Sequence, residues 1–120
     1  MLLSLLPMDP KAKKQHIIAL NTCPDEQTAG TIANKLVEQG LAACVNIVPA
    51  IKSVYQWQGK IEQDNEILLI IKTRRDVFSR LEDLVRELHP YELPEIVAVP
   101  IDTGLKEYLN WMDESLDITT

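Results

Sequence analysis

The chain has 120 residues, 46% of them apolar and 25% charged, with a formal net charge of −6. These values fit one soluble globular domain with a single core rather than a disordered or fibrous chain, and the acidic balance excludes a nucleic-acid surface, which needs clustered Lys and Arg to displace counterions. Cationic partners suit the charge better, and two cysteines, Cys23 and Cys44, with no C-x-x-C pair, point to a reducing, cytoplasmic setting rather than a disulfide scaffold or structural zinc site.

The opening "MLLSLLPMDP" has a shorter apolar stretch than the roughly 7 to 15 residues a secretory h-region needs, and no basic residue precedes it. Together with the basic "KAKK" it is expected to be a mobile tail over residues 1–14, ahead of one domain over 15–120. No run of ~18 apolar residues exists, so no membrane-spanning segment is expected.

"HIIAL" from His16 reads as a first strand ending near Thr22. "NTCPDE" follows as a helix-start signal, with Thr22 three residues before Asp25 and Pro24 suited to the first turn. Ala29, Ile32, Ala33, Leu36 and Val37 then recur at the spacing of one helical face, and Gly40 supplies the stop. From Ala42 to Trp57 the chain reads as one long extended segment with Val45, Ile47, Pro49 and Ile51 in alternation, Pro49 implying an edge position or a bend. "QGK" at Gln58–Lys60 reverses the chain, and "EILLIIKT" from Glu66 is the return strand of a hairpin. A second helix is expected from Asp76 to Leu88 on a face of Val77, Leu81, Leu84 and Leu88, ending before Pro90 because proline disfavours helical geometry in the residue ahead of it. "EIVAVPI" is the last strand, and Leu105, Tyr108, Leu109, Met112 and Leu116 mark a third amphipathic helix.

The order β-α-β-β-α-β plus a helix predicts an α+β, ferredoxin-like sandwich with spatial strand order 4-1-3-2 and the first two helices on one face. "IIAL", "ILLII" and "IVAV" are continuous apolar runs, however, of the kind seen in strands buried on both faces. The second face therefore needs a cover. The C-terminal helix supplies part of it, and self-association in a closed symmetric ring supplies the rest while protecting the exposed edge of the long second strand.

The segments "NTCPDEQTAGTIANKLVEQGLAACVNIVP", "SVYQWQGKIE", "ILLIIKTR", "HPYELPEIVAVPI" and "YLNWM" resemble, in order and spacing, the CutA family of divalent-cation tolerance proteins, over about residues 16–116. The Y-x-W-x-G-K hairpin and the H-P-Y-x-x-P-E turn together make the resemblance specific. It implies a PII-like fold, a homotrimer, and an association with divalent metals, copper above all. It also implies a metal-associated cysteine late in the first strand, where this chain has Asn21, and allows a second histidine beside His89, where this chain has Leu88.

The first-strand end, the hairpin tip and His89 are expected at one end of the sheet, with Cys44 at the other, too far from Cys23 for a disulfide. Copper favours imidazole and thiolate, so His89 and Cys23 are the candidate Cu²⁺ ligands, with Glu92 or Glu95 as a nearby carboxylate. The plain alternative makes His89 a helix stop at an exposed turn and Cys23 an occupant of a helix start. A third reading makes Cys23 a nucleophile with a lowered pKa, but neither histidine sits in a catalytic motif and no phosphate-loop or zinc-protease motif exists, so no enzyme is expected. Cys44 reads as a buried small hydrophobe. Tyr55 and Trp57 either stack on a ligand or pack against a neighbouring subunit. Two further functional readings stay open: a PII-like sensor of small molecules at subunit clefts, and a structural trimer that organises a partner protein.

Overall fold

A computed structural model describes residues 10–118. The greater part of the expected mobile tail, residues 1–9, lies outside the described residues, and Pro10–Lys13 form a single helical turn, α1. The elements that follow are β1 (His16–Cys23), α2 (Glu26–Glu38), β2 (Cys44–Trp57), β3 (Lys60–Arg74), a 3-10 turn at Arg75–Val77, α3 (Phe78–Leu88), β4 (Ile96–Pro100) and α4 (Lys106–Ser115). One sheet of four strands runs in the order β2-β3-β1-β4, every neighbouring pair antiparallel. This is the ferredoxin-like order expected from the sequence, read from the opposite edge.

Helix α2 is capped three residues later than its sequence signal suggests. Thr22 is still paired in β1, and the cap is Asp25, whose Oδ1 accepts the Thr28 amide at 2.7 Å. The helix buries Ala29, Ile32, Ala33 and Leu36 against the sheet but leaves Val37 exposed. Helix α3 lays Leu81 and Val85 into the same layer, with Leu84 and Leu88 partly buried at its margin. Beneath them lie Ala19, Cys23, Ile67, Leu69 and Ile71 of β1 and β3, residues that register pairing places on one sheet face.

Helix α4 departs from expectation. It does not cover the second sheet face, because Met112 and Leu116 join the same core as α2 and α3. Leu105 and Tyr108 are exposed, so its inner stripe is Leu109, Met112 and Leu116. Asp113 fixes its position: Oδ1 accepts from His16 Nε2 at 2.8 Å and from Arg74 Nη1 at 3.0 Å. Although partial burial works against ionisation, these two donors hold the Asp113 carboxyl below the usual carboxylate range.

The other sheet face carries Ile18, Leu20, Leu68, Ile70, Val97 and Val99, and no helix crosses it among the described residues. Val97 and Val99 are 51% and 47% exposed. The apolar runs in the sequence thus have two faces, and only one is covered by the described residues.

Two strand features differ from the sequence reading. Strand β3 begins at Lys60, directly after a two-residue Gln58–Gly59 turn with φ of 50° and 79°, so its outer half pairs only with β2 as a projecting ribbon. Within β2 the pairing shifts between Val48 and Ile51, where Pro49 and Ala50 stand opposite the single residue Ile67. This bulge reverses the inside–outside alternation. Val45 and Ile47 lie on the helix-covered face, whereas Ile51, Ser53, Tyr55 and Trp57 turn to the open one.

Gly40, after α2, adopts φ of 68°, and a Cβ built there lies 2.8 Å from the Asp117 amide nitrogen, whose N–H donates to the Gly40 carbonyl. Gly40→Ala combines left-handed strain with a clash against backbone and is expected to destabilise the fold by about 2 kcal/mol in chemical denaturation. An unchanged midpoint would mean that the α4 end yields freely.

Candidate functional site

The end of β1, the turn after α3 and the base of the hairpin ribbon meet at one end of the sheet. Helix α3 stops because His89, ahead of Pro90, is extended, with φ −81° and ψ 135°. Its ring folds inward. His89 is only 7% exposed, not the exposed turn residue the sequence suggested. Nε2 lies 2.7 Å from the Thr22 carbonyl oxygen, and Nδ1 lies 3.1 Å from the Tyr91 amide nitrogen. A carbonyl only accepts and an amide N–H only donates, so the geometry assigns the neutral tautomer with its proton on Nε2. The Tyr91 ring packs on the imidazole with centroids 4.7 Å apart. His89 is thereby a clip between α3, β1 and the turn that leads to β4.

Cys23, the last residue of β1, is fully buried, and its thiol donates to Asn21 Oδ1 at 3.3 Å. Burial first, then the nearby carboxylates of Asp25 and Glu66, push the thiol up to about 12. The nucleophile reading fails on this point. Cys23 precedes the Asp25 cap, and loss of solvent with two negative neighbours outweighs any benefit from the helix end. Asn21, where the family resemblance implies a cysteine, is itself buried and donates through Nδ2 to the Glu95 carbonyl at 2.7 Å, holding the start of β4. Cys44 is half-buried at the far end of the sheet, paired with Lys72, and both thiols are free.

Whether His89 and Cys23 fit a resident metal follows from these contacts. A metal bond needs a lone pair, and the one on Nδ1 receives the Tyr91 amide; the thiol is protonated and enclosed. Among the described residues no three His, Cys, Asp or Glu side chains converge as a ligand set. The pair as arranged does not fit a preformed Cu²⁺ site within one chain.

The same corner opens onto a cleft of about 730 Å³ on the uncovered sheet face, lined by Ser53, Tyr55, Trp57, Asp64, Glu66 and Tyr91, with Glu92 and Glu95 at the turn. It holds four carboxyl groups, three aromatic rings and no Lys, Arg or His in its lining. Glu66 is 7% exposed and accepts the Tyr91 hydroxyl at 2.9 Å; two residues along the same strand face, Asp64 accepts the Tyr55 hydroxyl. The hydrogen bond to Asp64, aided by partial burial and by the charges of Asp64, Glu62 and Glu66, pushes the Tyr55 phenol up to about 12. Tyr91 is raised too, by burial first and then by Glu66. Both phenols therefore remain donors throughout the physiological range.

Sequence reasoning named Glu92, Glu95, Tyr55 and Trp57 but missed Asp64, Glu66 and Tyr91. The return strand was expected from Glu66, which left Asp64 outside any assigned element. The usable signal was Gln58–Gly59, a two-residue hairpin turn that extends strand pairing back to Lys60.

The family profile described as CutA1 divalent ion tolerance protein matches residues 17–115. The chain is 52% identical over 98 residues to the divalent-cation tolerance protein CutA of Thermus thermophilus, covering 82% of this chain and 95% of that one. It is 49% identical over 94 residues to the human protein CutA, but the match spans only 52% of that longer chain against 78% of this one. Among solved structures, CutA1 from Oryza sativa superposes with a TM-score of 0.86 at 40% identity, over 90% of this chain and 99% of that one.

His89→Ala removes both ring contacts and leaves the Thr22 carbonyl and Tyr91 amide without partners in a buried corner. In metal-free buffer the substitution is expected to cost about 2 kcal/mol of stability. Denaturation of the two proteins side by side measures it, and equal midpoints would reduce the histidine to a spacer.

Proposed function

Because the chain belongs to the CutA1 divalent ion tolerance family, we propose that it serves divalent-cation tolerance as a homotrimeric cation-binding protein whose first contact with cations is the acidic cleft. One observation carries this reading: Asp64, Glu66, Glu92 and Glu95 line a single cleft with no basic side chain among them. Oxygen donors of this kind attract hard and borderline divalent ions without any change in the fold. Cu²⁺ capture by His89 and Cys23 is a further step in the proposal. It requires the Tyr91 amide to release Nδ1 and the buried thiol to give up its proton.

The homotrimer is supported by the open sheet face, where Ile18, Leu20, Leu68, Ile70, Val97 and Val99 form a continuous apolar surface. Such a surface favours a partner, and a closed ring covers it on every copy at once. Strand β2, a sheet edge fourteen residues long, gains the same protection.

Two measurements test the proposal. Light scattering on eluted protein is expected to give about three times the chain mass of 13.6 kDa. Ile70→Asp, on the open face, is expected to give a folded species of lower mass, whereas Leu69→Asp, on the covered face, unfolds the chain because an unpaired charge enters the core. A wild-type monomer at micromolar concentration rejects the ring.

Calorimetric titration with Mn²⁺ and Cu²⁺ addresses the cations. Glu66→Gln is expected to weaken both by about tenfold, a loss of ~1.4 kcal/mol, and Cys23→Ser to leave Mn²⁺ unchanged. If Cu²⁺ binding vanishes in His89→Ala but persists in Glu66→Gln, the ion goes to the histidine and the cleft is not its site.

A further inference from the structure

The cleft carboxylates are spaced rather than gathered. Asp64 and Glu66 sit two apart on one strand face, which separates their Cα atoms by about 7 Å. Direct coordination needs several ligands to converge on one point, and no three acidic, cysteine or histidine side chains do so among the described residues, so a divalent ion in this cleft would keep its water shell and be held by charge. Each of the two carboxylates already gives one oxygen to a phenol, Oδ2 of Asp64 to Tyr55 and Oε2 of Glu66 to Tyr91. A guanidinium, whose planar fork prefers both oxygens of one carboxylate, is therefore poorly matched. An ammonium group needs only one oxygen from each. The Tyr55, Trp57 and Tyr91 rings that share the lining attract organic cations through their faces and bury methylene groups.

We propose that this cleft is a binding site for an aliphatic diamine or polyamine, with one ammonium at Glu66, the next at Asp64 and the connecting methylenes against the aromatic lining. A four-carbon chain holds two ammonium groups at a separation comparable to that of the carboxylates. Glu66, 7% exposed, forms the desolvated end of the site and Asp64 the open end, so the ligand enters along the ribbon. Glu92 and Glu95 stand at the turn for a third ammonium. The two phenols act as positioning groups, because each fixes the orientation of one carboxylate. The inference rests on the cleft and not on the tolerance role, although both use the same carboxylates.

The test is a calorimetric titration of the full chain with 1,4-diaminobutane, spermidine and butylamine, at low and at raised ionic strength, with Mn²⁺ titrated in parallel. The diamine is expected to bind one per chain, about tenfold more tightly than the monoamine, and spermidine more tightly still. Asp64→Asn and Glu66→Gln should each reduce the diamine to the level of butylamine. Tyr91→Phe should weaken it less, and Glu107→Gln, on α4 away from the cleft, should not change it. Asp64→Asn alters an exposed side chain and keeps the test valid even if Glu66→Gln perturbs the fold. Equal, salt-sensitive binding of mono- and diamine that the cleft variants do not alter overturns the proposal, because it marks a general counterion effect. Absence of amine binding in an assembled wild type also overturns it, since the cleft is then filled by a neighbouring copy. Mn²⁺ binding without amine binding rejects this inference and leaves the cation-tolerance reading standing; amine binding without Mn²⁺ does the reverse.

Discussion

Between Val48 and Ile51 the second strand sets Pro49 and Ala50 opposite the single residue Ile67, and the side-chain alternation of everything beyond that point is reversed. A strand has a period of two, so one extra residue moves a whole set of side chains from one face to the other. Without the bulge, Tyr55 and Trp57 would point to the side of the helices, and the ribbon would show its other face to Glu66 and Tyr91. Proline suits the position because it has no amide to offer the ladder, and Ala50 accepts a φ of 60° as the local cost. The acidic cleft exists because the bulge brings Ser53, Tyr55 and Trp57 onto the face that Asp64 and Glu66 already occupy.

Tyr91 then joins the two halves of the corner. Its amide donates to His89 and its hydroxyl to Glu66, so the clip that ends α3 and the buried carboxylate of the cleft share one residue. Asn21 performs a similar task from β1, accepting from Cys23 and donating to the Glu95 carbonyl. Every polar group in this buried corner has a partner, and no buried side-chain nitrogen or oxygen is left unsatisfied among the described residues. Such fully paired networks rigidify a site because breaking one bond strands two groups. A histidine and a cysteine share this corner, and each is hydrogen-bonded within the protein.

The two faces of the sheet divide the labour of the molecule. One face, under α2, α3 and part of α4, supplies the core that makes the chain fold. The other keeps a stripe of Ile, Leu and Val near its centre and gathers negative charge at one end. Apolar stripe and acidic cleft adjoin on the same surface, so any assembly that covers the first brings a subunit boundary close to the second. Four of the 18 acidic side chains line the cleft at that end of the sheet, with no basic residue among them.

The strand order, the helix-stop role of Pro90, the two-sided apolar character of "ILLII" and the family were all legible in the sequence, because each rests on local pattern: a period of 2 or 3.6, a proline's fixed geometry, a run of motifs in order. Boundaries that depend on pairing were not legible. Thr22 looked like a cap but pairs with Leu68, and Asp64, ahead of the expected strand start, pairs with Ser53. The burial of His89 was hidden as well, since its partners Thr22 and Tyr91 lie 67 residues before it and two after it, and only the packing of α3 against β1 brings them together. Sequence determined which segments are strands and helices and that the second sheet face needs a cover. Tertiary structure decided which side chains meet, because a one-residue bulge and two hydrogen bonds to a ring set faces and distances that no local periodicity encodes.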